Sequence, residues 1–234
     1  MTQNKKNKVS DKHHQSGHRK RLKQRFMENG KSALADYELL EMLLFYSHAQ
    51  RDTKPIAKEL IKEFTNLSGV FGATPDKLKI VDGVGERTIQ LLKLVEALAQ
   101  HVGQSKIMNR DIFSSWEDLK NYCRSTMAER DIEEFRVIFL NRKNAIIADE
   151  KLSEGTIDHT PVYPREILRK AIMHNASGIV IAHNHPSGDP KPSQADIDMT
   201  NQIKKLCSGL GIVLHDHLVI GREDVVSFKS LNLL

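Results

Sequence analysis

The stretch Gly178-Ile179-Val180-Ile181-Ala182, followed at once by His183-Asn184-His185 and then by Pro186, Pro190 and Pro192, restricts the fold more than any other part of this chain. A short unbroken apolar run rich in β-branched residues and bounded by turn formers reads as a buried strand. Three prolines so close together stiffen residues 186–192 into a loop that neither strand nor helix can continue through. Ser193-Gln194-Ala195-Asp196 then opens a helix, with Ser193 at the capping position and Asp196 in the first turn.

Alternate side chains of a strand leave the same face, so His183 and His185 stand side by side, and the loop brings Asp196 back toward them. Two His and one carboxylate, with no fourth protein ligand, is the donor set of a catalytic zinc. Cys207 lies 11 positions beyond Asp196 on the same helix, roughly 16 Å along its axis, and cannot close the site. Ser193 and Asp196 alone are ordinary helix-capping residues. With 11 His in 234 residues, however, the full spacing H-x-H-x7-S-x-x-D arises by chance on the order of 2 times in 1000. Capping and ligation are compatible, because a capped turn fixes the carboxylate. His215-Asp216-His217 repeats the pair spacing with no matching Ser or Asp, and reads as an orienting partner or a structural element rather than a second metal site.

The chain ahead of this segment differs in kind. Residues 1–16 are polar and basic and read as a disordered leader. The net charge is +5, yet residues 1–30 hold nine Lys and Arg against Asp11 and Glu28, which leaves the remainder near neutral. From Gly17 a short basic helix carries Leu22 and Phe26. Asp36 caps a second helix, Lys54 to Phe64 forms a third with Pro55 in its first turn, and Thr74 to Leu78 starts another. Glu86 to Gln100 places Ile89, Leu92 and Val95 on one face. Residues 17–103 therefore form a helical domain, and Gly103 to Arg110 reads as a linker. Over 113–234 the pattern mixes types: a helix from Ser115, strands at Phe135–Leu140 and Ala145–Ala148, a helix over Arg165–Asn175, the buried strand, the helix from Ser193, and strands at Ile212–Leu214 and His217–Ile220.

The longest apolar run, Met42 to Tyr46, is five residues, against roughly 20 for a membrane span. Lys5, Lys6 and Lys8 have no apolar segment behind them, so a cytoplasmic protein without membrane contact is expected. Cys123 and Cys207 show no C-x-x-C spacing and read as plain buried thiols.

The pattern His183-x-His185-x7-Ser193-x-x-Asp196 resembles the JAMM (MPN+) zinc metalloprotease motif. Its extended form, His-Asn-His-Pro-Ser-Gly-Asp-Pro, is similar to the RadC family, long labelled DNA repair proteins. Gly17-His18-Arg19-x-Arg21-Leu22, Tyr163-Pro164-Arg165-Glu166 and Asp216-His217-x-x-Ile220-Gly221 support the resemblance, which covers about residues 18–234. It implies an α/β (α+β) protein: a small all-helical helix-hairpin-helix domain, then a JAMM/MPN-type, cytidine-deaminase-like α/β domain. It also implies Zn2+ on His183, His185 and Asp196, and hydrolysis of a peptide or isopeptide bond in an unidentified protein substrate. In JAMM enzymes a glutamate near the first strand of the domain moves the proton. Glu133 fits best, with Glu154 and Glu166 as alternatives, and Ser193 would support the developing oxyanion. Asn184 stands where many JAMM proteases have Ser or Thr, which places the chain on the RadC side. Phe45-Tyr46-Ser47-His48 replaces a more glycine-containing stretch of the family.

In Val81-Asp82-Gly83-Val84-Gly85, Gly83 and Gly85 would let backbone N–H groups approach a phosphate. With Arg19 and Arg21 and the basic leader, this suggests nonspecific DNA contact. The rival to a hydrolase is a DNA-binding repair or recombination accessory protein with a structural metal, and a third reading is an interaction module without chemistry.

Overall fold

The computed structural model describes residues 17–112, 114–155 and 163–234. The expected disordered leader, 1–16, lies outside them. The chain divides into two compact units between Ala97 and Leu98.

In the first unit, α1 (17–29) is the expected basic helix. Leu22 buries itself against Leu34 and Phe45, with Phe26 beside it. Helices α2 (Asp36–Leu44), α3 (Lys54–Phe64), α4 (Leu67–Gly72) and α5 (Pro75–Leu78) follow, then α6 (Glu86–Ile107). Leu40, Leu44, Leu60, Leu78, Ile89 and Leu92 share one core. Thr74 caps α5 through its side chain and Pro55 sits in the first turn of α3. Asp36 does not cap α2. It is the first helical residue, and the Glu38 carboxylate reaches back to the Ala35 N–H at 3.0 Å. An acidic residue in the first turn favours the helix through its dipole without occupying the cap.

The expected linker over Gly103–Arg110 is a correction. α6 continues to Ile107, which is buried in the core of the second unit with Ile112, Leu119 and Met127. Burial of one apolar residue outweighs the turn-like composition around it.

The second unit is a five-stranded sheet in the order β2-β1-β3-β4-β5, formed by β1 (Glu133–Leu140), β2 (Ile146–Gly155), β3 (Gly178–Asn184), β4 (Val213–Ile220) and β5 (Val225–Ser227). Only the β3–β4 pair is parallel. Helix α7 (Trp116–Met127) covers one face, through Leu119, Cys123 and Met127 against Ile138, Val180, Ala182 and Leu218. Helices α8 (Pro164–Met173) and α9 (Gln194–Ser208) cover the other, through Ile167, Ala171, Ile203 and Cys207 against Phe135, Val137, Ile179 and Ile181. β3, α9 and β4 make a strand–helix–strand crossover, so the carboxyl ends of two parallel strands and the amino end of α9 meet.

Three local expectations change. Ser115 stands before α7, but its hydroxyl donates to the Asp111 carbonyl at 2.7 Å and makes no cap bond. The two strands expected around His215-Asp216-His217 are one, β4, whose register shift between Ile179 and Val180 leaves His215 as the extra residue. The strand expected over Ala145–Ala148 runs on as β2 to Gly155 and includes Glu154, paired with Glu134.

Candidate metal centre

His183 ends the regular part of β3 on the α9 side of the sheet, stacked on Phe135 of the neighbouring strand, ring centroids 6.5 Å apart. His185 follows two residues on, with its N–H held by the Ile220 carbonyl at 2.9 Å. Ser193 caps α9: its hydroxyl accepts the Asp196 N–H at 3.2 Å, and both its N–H and its O–H donate to Asp196 Oδ2 at 2.7 Å. This reciprocal cap holds the carboxylate over the strand end. The spacing of the motif thus corresponds to convergence of the His183, His185 and Asp196 side chains. His183 Nε2 lies 2.9 Å from His185 Nε2 and 3.3 Å from Asp196 Oδ1, and His185 Nε2 lies 3.6 Å from Asp196 Oδ2. Nitrogen and oxygen ligands of a tetrahedral zinc stand about 3.3 Å apart.

The hydrogen bonds around the two imidazoles decide where their protons are. The Thr200 hydroxyl donates to the Asp196 carbonyl, so its oxygen accepts from His217 Nδ1 at 2.7 Å. His217 Nε2 is then bare and accepts from His183 Nδ1, also at 2.7 Å. That leaves His183 Nε2 without a hydrogen. On the other side His185 Nδ1 faces the Asp189 carbonyl at 2.7 Å, and a carbonyl can only accept. Neutral His185 therefore also presents a bare Nε2. Two lone pairs 2.9 Å apart beside a carboxylate leave room for a proton or a metal ion between them, and the donor set is one that zinc takes. Among the described residues this is the one group of three such donors able to hold a metal ion.

Electrostatics keep His183 and His217 neutral and Asp196 ionised, and favour the charged form of His185. Burial pushes His183 down to about 4, with Asp196 only partly opposing it. Burial, then the adjacent His183, holds His217 well below 6.5 and neutral. His185 is raised above 6.5 chiefly by its hydrogen bond to Asp196. Burial alone would raise the Asp196 carboxyl, but His185, His183 and Ser193 together keep it ionised, well below the usual carboxylate range.

Glu133 opens β1 two residues before Phe135, on the face that carries His183, and its charge acts on His185. Its neighbour Glu134 is buried and bound to Arg136 at 3.0 and 3.1 Å. Glu166 is taken by Arg169 at 2.9 Å on α8. His217 joins the centre while His215 does not, because the bulge breaks the alternation between them; the His215 ring lies over Gly178 instead, where a Cβ would sit 2.6 Å from its Nε2. Thr200, one helical turn after Asp196, carried no signal of its own in the sequence.

In the first unit, Gly83 takes a positive φ of 87°, as a tight turn before α6 requires. Gly83 and Gly85 border a cleft of about 520 Å³ with His48, Arg51, Arg87 and Thr88. Arg21 is exposed. The Arg19 guanidinium binds the carbonyls of His48, Ala49 and Arg51 at 2.6–2.9 Å and lies over the Phe45 ring. These bonds tie α1 to the 45–51 segment.

A family described as RadC-like JAB domain matches residues 113–233. A second, UPF0758 N-terminal, matches 14–89. The chain belongs to the RadC-like JAB-domain family. A UPF0758 protein of Ruegeria pomeroyi is 50% identical over 213 residues, 91% of this chain and 95% of that relative. A UPF0758 protein of Rhodobacter capsulatus is 50% identical over the same length, 91% of this chain and all of the relative. JAB domains are related to metalloproteases and often bind zinc, in keeping with the His-His-Asp donor set. No helix among the described residues is long and apolar enough to cross a membrane.

Proposed function

We propose that this chain is a zinc-dependent hydrolase of the JAMM metallopeptidase type, acting on a peptide or isopeptide bond of a protein substrate. The observation that carries the reading is the pair of bare Nε2 atoms facing each other beside an ionised carboxylate. His183, His185 and Asp196 would hold the ion. When bound, zinc supplies a Lewis acid that activates water and polarises a carbonyl oxygen.

The remaining work belongs to the chain. Glu133, on the ligand face, takes the proton from the attacking water and returns it to the leaving amine. Ser193 orients Asp196 through two bonds to Oδ2; its hydroxyl would support the oxyanion by turning its one hydrogen away from that carboxylate. His217 and Thr200 lock the tautomer of His183. The test is zinc-loaded protein incubated with a library of internally quenched peptides and isopeptide-linked conjugates. Cleavage by the parent, abolished in Glu133→Gln with zinc stoichiometry unchanged, is the expected result; full activity in that variant removes Glu133 from the mechanism.

A second reading adds nonspecific DNA contact through the helical unit. It is supported by the basic excess of residues 1–30 and by Arg87 at the cleft beside Gly83 and Gly85, where Arg51 is paired with Asp82 at 3.2 Å and Glu86 also lines the wall. In the accessory-protein version the metal is structural and Glu133→Gln changes nothing.

A further inference from the structure

Asn184 sits between the two histidines, fully buried, with its side chain on the sheet face opposite theirs. Its Oδ1 accepts the Glu134 N–H at 2.8 Å, and its Nδ2 donates to the Ile132 carbonyl at 3.1 Å and the Arg130 carbonyl at 3.5 Å. The Ile132 carbonyl belongs to the peptide unit before Glu133, and the Glu134 N–H to the unit after it. One side-chain amide therefore grips both peptide planes that flank the Glu133 Cα, which fixes the two soft backbone angles of that residue.

The geometry points to Asn184 as the positioning residue for the glutamate: it aims Glu133 at the ligand pair from the strand that carries the ligands. This inference rests on the hydrolytic reading of the centre. The residue type follows from the chemistry. A carboxamide offers one donor and one acceptor side by side, as a neighbouring strand's backbone does, and β1 is thereby held past the point where regular pairing with β3 ends at Phe135. A serine or threonine hydroxyl has one oxygen and cannot span both groups. An aspartate keeps the acceptor but turns a second lone pair on the Ile132 carbonyl. The residue that separates this chain from many JAMM proteases thus has a specific task, coupling the base to the metal ligands through a single side chain.

The test uses the full chain, isotope-labelled, with zinc ion as the only added ligand. Three readouts are followed in the parent, Asn184→Ala and Asn184→Asp. They are zinc stoichiometry, exchange of the Glu134 amide, and the zinc-induced change in the Glu133 carboxyl carbon resonance, assigned by its loss in Glu133→Gln. Asn184→Ala should keep the zinc, exchange the Glu134 amide about tenfold faster, and lose most of the zinc-induced change at Glu133. Asn184→Asp, close in shape and able to accept the Glu134 N–H, should keep slow exchange yet reduce the Glu133 response. A response of parental size in both variants overturns the positioning role. No response to zinc in the parent itself, with zinc bound, overturns the assignment of Glu133 and with it this inference. Failure to bind zinc at all overturns the hydrolytic reading, which separates the two failures.

Discussion

At the scale of single residues, the three candidate ligands His183, His185 and Asp196 differ in how a proton would compete with a metal for them. Asp196 stays ionised and His183 stays neutral until about pH 4, so neither releases a proton on metal binding near neutrality. His185 is the exception: Asp196 raises it above 6.5, because the carboxylate stabilises its charged form. A raised histidine is protonated as pH falls through its folded value, and the proton occupies the Nε2 that the metal needs. Zinc affinity should therefore be level above that value and fall about tenfold per pH unit below it, a slope of one proton. The fall should begin above pH 6.5 and steepen toward two protons only near pH 4, where His183 titrates. Competition titrations with a chelator of known pH dependence check this. A two-proton slope already at neutrality would mean that the relay through His217 and Thr200 does not hold His183 in its neutral form.

Among the secondary-structure elements, the loop from His185 to Pro192 and the end of β4 are built against each other. The Arg222 N–H donates to the Gly188 carbonyl at 3.1 Å, and a Cβ on Gly221 would stand 2.5 Å from that carbonyl and 2.7 Å from Pro190 Cδ. Both neighbours are stiff, so Gly221→Ala must displace the loop rather than a flexible side chain. The variant should lose about 2 kcal/mol of stability and about tenfold in zinc affinity, since the Asp189 carbonyl that orients His185 moves with the loop. Denaturant unfolding with and without zinc reads both. This dependence was hidden in the sequence, where Ile220-Gly221 is only a recurrent end to a strand. The legible features are local: Pro55 at a helix start, Thr74 and Ser193 as caps, and the two-residue spacing of His183 and His185 on a strand. The illegible ones are long-range or exceptional. The His183–His217 bond joins residues 34 apart and Asn184–Glu134 residues 50 apart, and no periodicity reports such pairs. The bulge that separates His215 from His217 breaks the very alternation from which strand faces are read. Ile107 failed as a linker residue for a related reason: its fate depends on a partner surface, not on its neighbours in sequence.

For the molecule as a whole, the question is how its basic charge is used. The nine Lys and Arg of residues 1–30 are not one tail. Those from Arg19 onward lie on α1, a helix whose Leu22 is part of a core and whose Arg19 is bound to backbone carbonyls. Deleting residues 1–30 would therefore disrupt the first unit, and loss of DNA binding in that variant would say nothing about phosphate contact. Removal of residues 1–16 alone takes away Lys5, Lys6, Lys8 and Lys12 and none of the described helix. If these lysines neutralise DNA phosphates, each releases close to one counterion. The slope of log affinity against log salt should then shallow by about 3 to 4 on that deletion. Arg87→Gln at the cleft beside Gly85 should shallow it by about 1, without altering the fold around Thr88. Fluorescence anisotropy of a labelled duplex over a range of salt measures both slopes. Equal slopes for the parent and the shortened chain would assign any DNA affinity to the folded unit alone. Absence of salt dependence in every variant would overturn the DNA reading and leave the hydrolytic one.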